Sequence, residues 1–87
     1  MKVVAKPIEM ISYTKGNGEL TPIRFRLQLA DESVKVIKID RVITRNLEKL
    51  AGNNMMVFNC QSEIDGVQSL FQIKYELSTC RWILFKM

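Results

Sequence analysis

The chain has 87 residues, with 13 lysines and arginines against nine acidic residues, no histidine and two cysteines, for a formal net charge of +4. This length supports one hydrophobic core, so residues 1–87 are expected to form a single small domain without a deep substrate cavity. Without histidine, the chain cannot supply a standard zinc site or the usual base for a cysteine nucleophile.

Apolar runs along the chain are short. The longest, at 55–58 and 82–85, fall far below the roughly 20 residues that span a bilayer. Lysines at positions 2 and 6 interrupt the N-terminal segment before a signal-type stretch can form. We therefore expect a cytoplasmic protein without a membrane partner. In that compartment Cys60 and Cys80 are free thiols by default, and a disulfide between them is the less supported alternative.

The first predicted strand covers 8–13 and ends at the glycine-rich loop 15–18. This loop lacks the Lys-Ser/Thr pair of a phosphate-binding loop, so we interpret it as a hairpin loop. The next run, 22–29, alternates between apolar and polar residues and predicts a half-buried strand with Arg24 and Arg26 on its outer face. Its predicted core residues are Ile23, Phe25, Leu27 and Leu29.

The following run, 34–43, is rich in β-branched residues but changes phase at Val36-Ile37. We interpret this phase change as a β-bulge, which bends strands around small barrels. The bulge implies three cross-strand pairs, Leu29 with Val34, Leu27 with Val36 and Phe25 with Ile39. Asp40 is then expected to form an ion pair with Arg24 or Arg41.

Residues 44–52 are predicted to form one or two helical turns that plug one end of the fold. Thr44 or Asn46 can cap the first turn, and Gly52 can end the segment. Leu47 and Leu50, three positions apart, would share one face.

Asp65-Gly66 indicates a two-residue type I′ hairpin turn between two long strands within 55–77. Such a turn pairs residues whose numbers sum to 131. This register puts four apolar pairs on one face: Ile64 with Val67, Cys60 with Phe71, Phe58 with Ile73, and Met56 with Tyr75. A slip of one residue would destroy the agreement. A last strand is predicted over 81–87.

These elements predict an all-β fold, or a mainly β fold with one short helix. Five to six short strands with local connections must curl or leave edges exposed. We therefore predict a small antiparallel barrel of the SH3-like or OB-like type.

Two functions follow, both non-enzymatic, since most carboxylates fall in turns or on solvent faces. The sequence accordingly predicts no catalytic residue, no metal site and no cofactor. The first function is binding of DNA or RNA, because the first 50 residues hold ten basic and six acidic residues and the remainder three of each. The candidate residues lie in the hairpin at 22–45: Arg24, Arg26, Lys35, Lys38, Arg41 and Arg45. The alternative for this strip is an ordinary solvated face.

The second function is that of a protein-binding adaptor or a homodimer. Small barrels offer sheet edges and apolar patches to partners. The run 81–85 carries large apolar groups on both faces of one strand, so either Trp82 and Leu84 or Ile83 and Phe85 are expected to be partly exposed. The candidate residues are Trp82 and Leu84, together with Leu70, which lies on the polar face of its own strand.

Four segments also carry a resemblance to a known group of proteins. They are Lys6-Pro7-Ile8-Glu9, Pro22-Ile23-Arg24-Phe25-Arg26, Val36-Ile37-Lys38-Ile39-Asp40-Arg41-Val42 and Cys80-Arg81-Trp82-Ile83-Leu84-Phe85. Together they resemble small bacterial β-domain proteins of unknown function that occur with, or as tails of, Y-family DNA polymerases. The resemblance implies an accessory role in DNA repair or replication, with a DNA polymerase as a candidate partner, and implies no catalytic residue.

Overall fold

In a computed structural model that describes residues 1–87, the chain forms one seven-stranded antiparallel sheet and no helix. The strands are β1 (Val3–Thr14), β2 (Leu20–Gln28), β3 (Val34–Lys38), β4 (Arg41–Leu50), β5 (Asn53–Ile64), β6 (Val67–Glu76) and β7 (Arg81–Lys86). The expectation of an all-β fold is confirmed, with seven strands instead of five or six. The structure contains no helix that is long and apolar enough to cross a membrane.

The strands lie in the order β3-β2-β1-β7-β6-β5-β4, and the sheet is curled into a half-barrel. Every strand lies beside its sequence neighbour except β3 and β4, which form the two edges of the sheet. Because directions alternate across the sheet, these two edge strands run the same way. Only Ile39 and Asp40 separate them, and so short a link spans at most about 10 Å. The two edges therefore meet at this corner.

The inner face of the half-barrel holds the core. Five side chains that come from both halves of the sheet are almost completely buried: Phe25, Phe58, Phe71, Ile73 and Leu84. Phe25 and Phe71 join the halves in an edge-to-face contact with ring centroids 5.6 Å apart. Burying such a side chain contributes about 1.5–3 kcal/mol.

The β5–β6 hairpin has the predicted register, from Ile64 paired with Val67 to Met56 paired with Tyr75. Asp65 and Gly66 adopt φ angles of 51° and 79°. These are the positive angles that a type I′ turn requires, so the turn prediction is confirmed.

The predicted helical plug at 44–52 is wrong, because β4 runs to Leu50 and pairs along β5. A second turn of the same kind follows, with φ angles of 51° at Ala51 and 78° at Gly52. Alanine is a weak signal for positive φ, so the turn was not recognised. Leu47 and Leu50 are exposed rather than packed as a plug.

The predicted bulge between β2 and β3 is also wrong. The ladder is regular, with Phe25 opposite Ile37 and Arg26 opposite Val36. Ile37 therefore faces the core, and Val36 faces solvent despite its β-branched side chain. The bulge lies instead between β1 and β2, where Ile23 is an additional residue and is exposed.

Asp40 does not form the expected ion pair with an arginine. Its carboxylate accepts the backbone N–H of Glu63 at 2.8 Å, and its own N–H donates to the carbonyl of Gln61 at 3.2 Å. The one acidic residue between the two edge strands thus fastens the corner to β5.

Candidate nucleic-acid interface

The outer face of β1, β2 and β3 carries the densest group of predicted site residues. Arg24 lies between Ile11 on β1 and Lys38 on β3, and Arg26 lies between Glu9 and Val36. Strand alternation turns these side chains outward, because the intervening residues contribute to the core. Tyr13 continues the same face of β1. We call this set the outer patch: Glu9, Ile11, Tyr13, Arg24, Arg26, Val36 and Lys38.

Positive charge is unneutralised at the centre of the outer patch. Arg24 and Lys38 are direct cross-strand partners, and neither forms an ion pair. Like charges in such a pair destabilise a sheet. The side chains of Arg26 and Glu9 approach to 3.9 Å but are 58% and 81% exposed, and an exposed ion pair of this kind contributes about 0–1 kcal/mol.

A shallow groove of about 550 Å³ lies on the outer patch, with Ile11, Arg24, Arg26 and Val36 among its lining residues. Three apolar side chains share this face with the cations and are more than half exposed: Ile11 at 54%, Tyr13 at 58% and Val36 at 59%. The surface therefore offers positive charge and apolar contact area side by side.

The other three basic candidates lie apart from the outer patch. Lys35 has the inward phase of β3, opposite Leu27, and its ammonium group forms an ion pair with Asp65 in the β5–β6 turn. Arg41 begins β4, where it is exposed and has no ion pair. The predicted basic strip is thus not continuous, because Lys35 has the inward phase of β3 and Arg41 lies beyond the corner, on β4.

Arg45 has a structural setting on the inner side of β4. Its guanidinium lies 5.7 Å from the ring centroid of Phe58 and forms an ion pair of 3.1 Å with Glu19. It also donates to the backbone carbonyl of Leu20 at 3.0 Å. These contacts tie β4 to the β1–β2 loop across the mouth of the half-barrel.

The apolar candidates on β7 require a correction. Trp82 and Leu84 are only 8% and 1% exposed, because β7 lies in the middle of the sheet and both side chains point into the core. Trp82 packs against Tyr75 with ring centroids 4.8 Å apart. The outward residues of β7 are therefore Ile83 and Phe85. Leu70, on the adjacent strand β6, is exposed, as a contact residue would have to be.

On the outer face of β5, β6 and β7, Lys74 makes stabilising contacts with neighbouring side chains. Sequence analysis did not single out this lysine. This lysine is 8% exposed, and its ammonium group lies 3.7 Å from the ring centroid of Phe85 and 3.1 Å from the carboxylate of Glu48. Its charge is thus compensated within the fold.

Both cysteines are free, with Cys60 buried in the core and Cys80 exposed. Burial raises the pKa of the Cys60 thiol to about 12, which makes it a packing group rather than a nucleophile. No cluster of three or more cysteine, aspartate and glutamate side chains is arranged to hold a metal ion.

Comparison of the chain with protein-family models, with curated proteins and with solved structures gives no match. The functional inference therefore rests on the chemistry of the outer patch. Sequence analysis identified its cations but not Glu9, Ile11 or Val36. The exposed apolar side chains of Ile11, Tyr13 and Val36 indicate a contact surface, but they can be recognised as one surface only when β1 is paired with β2.

Proposed function

We propose that this chain is a non-enzymatic binding module that contacts nucleic acid through the outer patch. The observation that carries the proposal is the cross-strand pair of Arg24 and Lys38, two like charges with no acidic partner. A phosphate group between them would convert a repulsive pair into two attractive contacts, and would release counterions from the nucleic acid.

The surroundings of this pair support the same function. Phosphate contacts position a nucleic acid, whereas sugars and bases offer apolar and hydrogen-bonding surface beside the phosphates. Ile11 and Val36 border the two cations and provide that apolar surface.

We further propose that the half-barrel is a variant of an SH3-like or OB-like barrel. In this interpretation β3 and β4 are two halves of one bent strand, which brings the strand count to six. The two-residue link at Ile39 and Asp40 supports it. OB-like barrels commonly bind oligonucleotides, and the sequence resemblance adds a role as a cytoplasmic accessory protein of a bacterial Y-family DNA polymerase.

The direct test is fluorescence anisotropy with labelled single-stranded and double-stranded oligonucleotides over a range of salt concentrations. Two phosphate contacts predict that log K falls with log salt with a slope of about −1.4 for single strands and −1.8 for duplexes. The double variant Arg24→Glu/Lys38→Glu should abolish binding at about 50 mM salt.

A matched control is the double variant Lys2→Glu/Lys49→Glu, which changes the net charge equally at two exposed lysines outside the outer patch. It should retain most of the affinity. Lack of binding by the unmodified protein at about 50 mM salt would refute the proposal, and equal losses in both double variants would show that net charge alone is responsible.

A protein-binding or homodimeric module is the second candidate, and the free edge of β4 favours it. This ten-residue edge strand carries exposed Ile43, Leu47 and Leu50, and long apolar edges readily pair with another strand. Sedimentation of the purified protein at increasing concentration tests for a dimer. Leu47→Lys should abolish the dimer, and Val67→Lys, at an exposed position on another strand that is not a contact candidate, is its control.

A further inference from the structure

The outer patch contains one acidic residue, Glu9, among three cations. Its carboxylate would repel a phosphate group, so Glu9 is poorly suited to contact the backbone of a nucleic acid. It stands opposite Arg26, where both side chains are largely exposed and only loosely paired at 3.9 Å. Both line the same groove. The carboxylate of Glu9 and the guanidinium of Arg26 are therefore presented together in the groove. Each can leave this loose ion pair and contact a ligand instead.

The apolar members of the outer patch favour unpaired bases over a duplex. A duplex presents phosphates and sugars at its surface and keeps the faces of its bases stacked. A single strand can lay its bases on exposed side chains, and aromatic residues are the common platform. Tyr13 is one such residue, and it lies two positions from Ile11 on one face of β1, about 7 Å along the strand.

The paired charges of Glu9 and Arg26 match one base better than the others. A carboxylate accepts two hydrogen bonds, and a guanidinium only donates. On its Watson–Crick edge, guanine alone places two adjacent donors, N1–H and the N2 amino group, beside an acceptor, O6. The other bases offer a single donor group there.

We propose that the outer patch binds single-stranded nucleic acid and prefers guanine, which Glu9 and Arg26 read together. Glu9 accepts from N1–H and the N2 amino group, and Arg26 donates to O6. Arg24 and Lys38 hold the flanking phosphates, and Ile11, Tyr13 and Val36 contact base faces. This inference rests on the nucleic-acid binding proposed above.

The test compares single strands about 15 nucleotides long that repeat dT-dT-dX, where X is guanine, inosine or adenine. Anisotropy at about 50 mM salt should show guanine binding at least about fivefold tighter than adenine, the lower end of the value of a bidentate contact. Inosine, which lacks the N2 amino group, should lose most of this preference.

Glu9→Gln should remove the preference for guanine over adenine, because an amide offers one acceptor and brings a donor against N1–H. Its affinity for oligo-dT should increase, because a negative charge is lost near the phosphates. Glu32→Gln is the matched control, an equal charge change at an exposed acid in the β2–β3 loop without an ion pair. It should keep the preference.

The outcomes separate this inference from the proposed function. Salt-sensitive binding with equal affinity for guanine and adenine, or a guanine preference that survives in Glu9→Gln, overturns the inference alone. Tighter binding to duplex than to single strands also overturns it and leaves phosphate binding intact. The absence of any binding overturns both.

Discussion

Alkaline pH should destabilise this protein through Cys60, because folding suppresses the ionisation of its thiol. Cys60 lies in the core opposite Phe71, and burial raises its pKa from 9.0 to about 12. In the unfolded chain the thiol loses its proton near pH 9, whereas in the folded protein it keeps the proton. The unfolded state therefore binds fewer protons above pH 9, and stability falls as pH rises until it levels off near pH 12.

The magnitude follows from the size of the shift. Between the two pKa values, each pH unit lowers the free energy of unfolding by about 1.4 kcal/mol. At about pH 10.5 the loss from Cys60 alone reaches about 2 kcal/mol. Urea unfolding of the wild type and of Cys60→Ala, followed by Trp82 fluorescence at about pH 7.5 and 10.5, isolates this loss. All other ionisable groups are the same in both proteins, so their contributions cancel in the difference.

The destabilisation caused by Cys60→Ala should thus be about 2 kcal/mol smaller at the higher pH, since alanine has no proton to lose. Val57→Ala is the control, because it shortens another buried side chain of β5 that has no proton to lose, and its destabilisation should be the same at both pH values. A destabilisation by Cys60→Ala that does not change with pH would refute the reasoning, because it would mean that the folded protein ionises Cys60 as readily as the unfolded chain does.

Three further outcomes are expected. Glu48→Gln should lower the free energy of unfolding by about 1–3 kcal/mol in urea titrations because it leaves the buried charge of Lys74 unpaired, whereas Lys74→Met should be nearly neutral; equal losses would contradict this account. Ala51→Asn should raise stability by about 1 kcal/mol, because asparagine tolerates the φ of 51° that alanine is forced to adopt, and an unchanged urea midpoint would count against it. Lys38→Glu should raise the thermal midpoint slightly while it weakens binding of oligonucleotides, because it turns the like-charge pair with Arg24 into an attractive one; a lower midpoint would argue that the pair is not repulsive.

The sequence predicted the β5–β6 hairpin well because two independent signals agreed there. Asp65-Gly66 specifies a tight turn, and the alternation of apolar residues on both sides accepts only one register. The turn at Ala51-Gly52 has the same geometry but a weaker signal. In the sequence, no strong turn signal contradicted the local helical pattern at 44–52. In the structure, the pairing of β4 with β5 overrides that pattern.

The candidate site was predictable only in part, for a related reason. Their positive charge identified Arg24, Arg26 and Lys38 as candidates. Their outward orientation could also be predicted, because the alternation of side chains within one strand depends only on local sequence. Which residues of β1 lie beside them depends on a ladder whose register shifts at Ile23. The misplacement of Trp82 is of the same kind, since a strand with large apolar groups on both faces does not say which face its neighbours will cover.

The two outer faces of this sheet differ in how their charges are compensated, and this difference supports the proposal of a binding surface on β1–β3. On the half formed by β5–β7, Lys74 is covered by Phe85 and neutralised by Glu48, so this lysine offers no free charge to an anion. On the half formed by β1–β3, Arg24 and Lys38 repel one another beside apolar groups that remain exposed. We therefore place the proposed site on this second surface, because a single-stranded nucleic acid combines the anionic phosphates and the apolar base faces that its side chains would contact.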